Sequence, residues 1–391
     1  MPQEFLSTIR RFVNRTRMLD LAQRLIAIPS RTGDSKAVLD DLAEVLSGEG
    51  FAVQREAADH PTAPAVLAVL DSGKTGKCLQ FNGHVDVVHL PFVPPSIEGS
   101  LLKGSGACDM KGGLCAAIEA VLALRDSKLL ERGRVLLCAH DLHEAPWGLG
   151  EQLDALIKRG VHGDAVLLPE PLTNHLPISG RGNATWKVTF RRPGGPMHEV
   201  VVPQGTPNVI KAIHHLLDEI GKLDGQLGSE VDPIAGRSTV FVGQVHCGEL
   251  YNQDANEGMI EGTRRWIPGR IAKAAENEFR AIVNSVATAE NVTANLEWRH
   301  IRDAFQLDVN HPFVEIFQTS YARMNGSRLT TGPKAFVDDG NAFWGIAQIP
   351  AITHGPRAGG QHTIHEWIDI DDMERVAALY ALTAIGYLNE T

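Results

Sequence analysis

Three apolar, strand-like runs at residues 77–81, 134–139 and 164–168 alternate with helix-like runs at 113–124 and 151–159. Short apolar strands separated by helices call for a mainly parallel sheet covered on both faces, because the crossover helices have nowhere else to bury their apolar sides. In such sheets ligands collect beyond the carboxyl ends of the strands. His84 follows the first run, His143-Glu144 the second and Glu170 the third. The same pattern thus constrains the fold and marks where a site would lie.

Helical periodicity at 18–28 and 35–46 and strands at 51–55 and 65–70 complete the first part of this pattern. It changes near Gly182. Strands over 183–190, 238–246, 259–266 and 291–298 interleave with helices over 208–223 and 271–287, a βαββαβ order. The α/β pattern returns near Phe313, with a core strand at 351–353 and a last helix over 371–387. A chain of 391 residues exceeds one ordinary core. The expectation is a discontinuous α/β catalytic domain, 1–181 with 300–391, interrupted by an inserted α+β domain of ferredoxin-like order at 182–299.

Charge and composition narrow the function. A formal net charge of −10, with no basic stripe bearing interleaved aromatics, argues against nucleic acid. No apolar run reaches the length needed to span a bilayer, so no membrane partner is expected. The first residues carry Arg10, Arg11, Arg15 and Arg17 without the apolar segment of an export signal, which predicts a cytoplasmic protein. The five cysteines lack metal-type spacing and read as reduced, buried thiols. Sixteen histidines, several beside acids, direct attention to metal chemistry.

The stretch Lys103-Gly-Ser-Gly-Ala-Cys-Asp-Met-Lys-Gly-Gly113 opens the 113–124 helix. Its glycines suggest a phosphate cradle, but Met110 and Gly112 flank Lys111 where a P-loop needs Gly and Ser or Thr, and Asp109 at its centre would repel a pyrophosphate. A carboxylate with glycines on both sides suits a bridge between two divalent ions, since the backbone can bend closely around them. Such ions take histidine and carboxylate ligands and lower the pKa of a shared water to about 7.

The motifs Gly83-His84-Val85-Asp86, Gly104-Ser-Gly-Ala-Cys-Asp109-Met-Lys-Gly-Gly113, His143-Glu144, Glu170-Pro171-Leu172 and His362-Thr-Ile-His-Glu366 together resemble the M20 family of metallopeptidases and amidohydrolases, along the whole chain. The resemblance implies two divalent metal ions, zinc in the first place and cobalt as the alternative. His84 and Glu170 would hold one ion, Glu144 and His362 the other, and Asp109 would bridge them. Asp86 would orient His84, and a cis peptide would follow Asp109. In the inserted domain, which the resemblance makes a lid and a homodimer surface, His198 would stabilise an oxyanion in the partner's active site. Asn252 and Arg265 would contact substrate, and Gly360 would lie in a loop offering backbone donors. Trp186, Met197, Tyr251 and Trp266 are candidates for lining a pocket.

One motif departs from the family. Two adjacent glutamates are usual at the third motif, a general base followed by a ligand; this chain has His143-Glu144-Ala145. Either Glu144 is the ligand and His143 stands in the base position, or Glu144 is the base and Ala145 leaves one ion short of a carboxylate. The spacing from Asp109 favours the first. The expected function is a two-metal hydrolase that cleaves the amide of an N-acyl-amino acid through a metal-bridging hydroxide. The alternatives are a metallo-carboxypeptidase or dipeptidase on short peptides, and a catalytically impaired relative that only binds carboxylates.

Overall fold

Every position of Cys78–His84 is buried, as in a strand covered on both faces. In the computed structural model, which describes residues 3–172 and 174–389, this strand (β3) lies inside a six-stranded sheet. Its other members are β1 (Val53–Glu56), β2 (Ala65–Asp71), β6 (Arg134–His140), β7 (Ala165–Leu168) and Ala351–Thr353; β4 (Ser96–Glu98) and β5 (Leu101–Lys103) form a hairpin elsewhere. The order is β1-β2-β6-β3-β7 and then 351–353. Pairs β3/β6, β3/β7 and β7/351–353 are parallel, whereas β1/β2 and β2/β6 are antiparallel. The expectation of a mainly parallel sheet is corrected to a mixed one. Only residues 57–64 join β1 to β2, too few for a parallel crossover, which takes a dozen or more.

The helices follow from composition. With α1 (Gln3–Phe12), α2 (Arg15–Ile26) and α3 (Lys36–Gly48) preceding the core strands, α4 (Lys111–Ser127) is buried from Lys111 to Leu124 and packs against Ile370–Leu388. On the other face of the sheet, Leu67, Leu136 and Cys138 meet Ala155 and Leu156 of α5 (Glu151–Lys158). In-register pairs Gly83–Ala139 and His84–His140 align the carboxyl ends of β3 and β6, so both strands release their following loops at the same edge.

Two compact units are present. One comprises the residues up to Ile178, Leu307–Gly332 and the chain from Ala342; the other comprises Ser179–Gln306 and Pro333–Asn341. In the smaller unit, strands Thr239–Cys247, Glu257–Trp266, Gly182–Arg191 and Thr293–Arg302 form an antiparallel sheet in that spatial order. Helices α6 (Val209–Leu227) and α7 (Ala272–Ala289) supply Ile213, Leu216, Phe279 and Val283 to a core with Trp186, Val188 and Phe190. Trp186 and Trp266 are buried at 2% and 0% exposure and pack into hydrophobic cores. Cys78, Cys108, Cys115 and Cys138 are buried and Cys247 half-buried, all as free thiols. Among the described residues no helix is long and apolar enough to cross a membrane.

Candidate metal centre

The larger unit brings seven of the expected side chains together, His84, Asp86, Asp109, His143, Glu144, Glu170 and His362. His84 is the last residue of β3; His143 and Glu144 follow the end of β6, and Glu170 follows the end of β7. The second strand stops at His140, and the His143-Glu144 pair sits in the loop that follows, in which Leu142 has φ +65°. Asp109 precedes α4 and His362 precedes Trp367–Asp369, with φ +58°.

Asp109 is the centre of the group. His84 Nε2 lies 3.1 Å from its Oδ1, and His362 Nε2 lies 3.4 Å from its Oδ2. Glu170 Oε1 is 3.8 Å from His84 Nε2, and Glu144 Oε2 is 3.1 Å from His362 Nε2. One carboxylate oxygen therefore faces each histidine, and each histidine has a second acid beside it. That is the donor set two divalent ions sharing a carboxylate require. Among the described residues, two groups with ligand atoms within 4.8 Å of one another can be drawn, His84–Asp109–Glu144 and His84–His143–Glu170.

The second group includes His143, but its ring is stacked on His84, with centroids 3.9 Å apart and planes at 1°. Parallel imidazoles direct their in-plane lone pairs side by side, so these two rings do not converge on one ion in this arrangement. His143 thus lies face to face with His84, and the two rings do not point at one spot.

Asp86 is buried and does more than its sequence position suggests. Its Oδ2 accepts the N–H groups of His143 and Glu144, both at 3.0 Å. His84 Nδ1 is 3.0 Å from the Asp86 carbonyl oxygen and 3.6 Å from Oδ1. One residue thus holds the His84 ring and the backbone that carries His143 and Glu144. Burial works against charge on His84, but Asp109 and Asp86 outweigh it and raise its pKa well above the ordinary value. Hydrogen bonds to Asp109 and Glu144 raise that of His362 to about 10. Asp109 is held well below the usual carboxylate range by His362 and His84, against the effect of its own burial.

The loop bearing Asp109 is shaped by groups that spacing did not single out. Glu366, recognised only as the end of the last motif, accepts N–H groups from Gly106 at 3.2 Å and from Cys108 and Asp109 at 3.1 Å each. Burial pushes its pKa up to about 7 against those three donors. Lys111 is fully buried and donates to Leu25 O and Ile28 O at 3.1 Å, tying the start of α4 to the end of α2. A Cβ at Gly113 would fall 1.9 Å from Pro169 O; glycine there lets α4 press against the backbone that leads to Glu170. The peptide Asp109–Met110 is cis, as the resemblance implies.

The remaining expected residues are distributed between the units. Gly360, at φ +78°, belongs to the larger one and accepts hydrogen bonds from Thr363. In the smaller unit, exposed His198 places Nε2 3.0 Å from Asn252 Nδ2 while Nδ1 accepts the Val200 N–H. Arg265 is half-buried on Glu257–Trp266; burial and then the charge of Arg181 lower its pKa.

A mixed sheet whose strand ends present this histidine–carboxylate set defines a metal-dependent hydrolase, and the comparisons with known proteins agree. Residues 80–385 match Peptidase family M20/M25/M40. A succinyl-diaminopimelate desuccinylase from Methylobacterium radiotolerans is 33% identical over 94% of this chain and 96% of its own length. Among solved structures, the aminopeptidase PepT of Bacillus cereus aligns with TM-score 0.81 at 17% identity, covering 96% of this chain and 99% of its own. A tripeptidase from Staphylococcus aureus aligns with TM-score 0.80 at 20% identity and the same coverage. The chain belongs to the M20/M25/M40 family: it is a two-metal-site hydrolase acting on amide or peptide bonds of small acyl or amino-acid substrates.

Proposed function

We propose that the chain is a zinc-dependent deacylase that cleaves the amide bond of N-acyl-amino acids. The observation that carries this reading is Asp109, with separate oxygens directed at His84 and His362 and with Glu170 and Glu144 beside those histidines. The desuccinylase relatives support an acyl amide over a longer peptide as substrate. His84 and Glu170 would hold one ion, Glu144 and His362 the other, and Asp109 would contribute to both sites. When bound, the ions supply an acidified water as nucleophile and polarise the scissile carbonyl.

The protein's own groups do the rest. Asp86 keeps the His84 ring and the His143-Glu144 backbone in place. His143, stacked against a ligand without sharing its ion, accepts a proton at an imidazole nitrogen during attack and returns it to the leaving amine. The smaller unit, of ferredoxin-like order, acts as lid and homodimer surface. From it His198 of a second copy stabilises the tetrahedral oxyanion, and Asn252 and Arg265 hold the substrate carboxylate, a task for which a guanidinium fork is suited. Gly360 supplies a backbone contact to the substrate. Action in the cytoplasm fits the free, mostly buried cysteines.

The test is a panel of N-acyl-amino acids and dipeptides assayed with and without chelator. Amide hydrolysis that stops on chelation and returns with zinc or cobalt is expected. Hydrolysis indifferent to chelation, or two bound ions with no turnover of any amide, would overturn the proposal.

A further inference from the structure

Two of the loops that carry proposed ligands, 84–90 and 141–148, are tied together at three places. At the base, Asp86 Oδ2 accepts the backbone N–H groups of His143 and Glu144. Next, His84 and His143 stack at 3.9 Å. Further along the same loops, His89 and Trp147 stack, with ring centroids 4.1 Å apart and planes at 10°. The first two ties serve the metal ligands. The third holds no ligand, and it leaves Trp147 44% exposed.

The indole is exposed but held. His89, which backs it, places Nε2 3.1 Å from Thr32 O. Beyond the indole, Gly148 N donates to Glu144 O at 2.8 Å, and a Cβ at Gly148 would fall 2.3 Å from Leu142 O, so the turn presenting Trp147 is closed tightly on the loop that carries Glu144. Immobilising a large apolar ring while leaving it in water forgoes the free energy of burying it. A fixed, half-open aromatic face three residues from Glu144 is a surface prepared for a ligand. Ile364, two residues beyond His362, is likewise 45% exposed.

We infer that Trp147, backed by His89, is a stacking platform for a planar aromatic acyl group and sets the enzyme's preference for aroyl over small acyl substrates. An indole face gives a carboxylate no hydrogen bond, so the amino-acid end of the substrate is the wrong occupant and the uncharged acyl end the right one. A planar ring gains over an alkyl chain of equal area through offset stacking. The word acyl rests on the deacylase reading above; the platform itself rests on the stack and its exposure.

The experiment has two arms, each on metal-loaded wild type, Trp147→Ala and Trp147→Phe. In the first, kcat/KM is compared for N-benzoyl and N-acetyl derivatives of one amino acid. The benzoyl preference is expected to fall roughly tenfold in Trp147→Ala, mainly through KM, and to be largely kept in Trp147→Phe, with zinc content and thermal midpoint unchanged. In the second, benzoate and acetate, the acyl products, are titrated calorimetrically. Benzoate is expected to bind more tightly than acetate, and the difference to shrink in Trp147→Ala alone. If no amide is cleaved, the deacylase reading fails while the benzoate titration still decides the platform. An unchanged benzoate-to-acetate ratio in Trp147→Ala overturns the inference, as does that result with loss of a dimer, which would assign the indole to a subunit contact.

Discussion

The two oxygens of Asp109 have different neighbours, His84 and His362, and the residues around it divide into proposed ligands and groups that hold those ligands in place. His143 is the sharpest case. If it moves protons without binding metal, His143→Ala should lower kcat by roughly 10²- to 10⁴-fold while elemental analysis still finds the wild-type metal content. A drop in metal content would make it a ligand instead and shift the base to Glu144. Glu366 is the converse: it is not a proposed ligand, yet it accepts three N–H groups of one loop, including that of Asp109. Glu366→Gln should weaken zinc binding by roughly 10- to 100-fold, as loss of an outer-shell partner does, measured by competition with a chromogenic chelator. Metal affinity equal to wild type would show that the loop holds its shape without the clamp.

Elements place these residues, and most of that placement could be read from the chain. Apolar runs ending in His84 and Glu170 were legible as strand ends because strand period and burial leave a direct trace in residue type. The direction of β2 was not, since apolar content is the same for a parallel and an antiparallel neighbour; the short 57–64 connection was the available signal. The glycines on both sides of Asp109 were read as room for a backbone bent around cations. Gly113 shows a different cause, close contact with Pro169 O at 1.9 Å from an added Cβ. Gly113→Ala should therefore cost about 3 kcal/mol or more in urea denaturation, because backbone cannot yield as a flexible side chain can. A cost below about 1 kcal/mol would mean that α4 and the Glu170 loop move apart freely. Glu366 and the second duty of Asp86 escaped the sequence because both act on backbone N–H groups, which no side-chain pattern records.

At the scale of the whole molecule, the insertion of an α+β unit into an α/β one is visible as a change of period, but stability depends on contacts that spacing does not reveal. His354 is one. It is fully buried among Phe317, Tyr321 and Tyr380, and neither ring nitrogen has a hydrogen-bond partner among the described residues. Burial, reinforced by Arg375 and opposed by Asp372, lowers its pKa from the ordinary 6.5 to about 3. Between those values the unfolded chain binds a proton that the folded chain refuses. The stability associated with neutral His354 is thus complete above pH 6.5 and is lost as pH falls toward 3. In metal-stripped protein, His354→Phe should flatten the acid limb of the stability curve by a few kcal/mol, roughly the span of that shift; parallel limbs for the two proteins would assign acid lability elsewhere. The central claim is that Asp109 is shared, and metal counting across ligand variants tests it most directly. Wild type should hold two zinc ions per chain, Glu170→Ala and Glu144→Ala should each weaken one, and Asp109→Ala should weaken both. One ion per wild-type chain, or loss of a single ion in Asp109→Ala, would contradict a shared carboxylate.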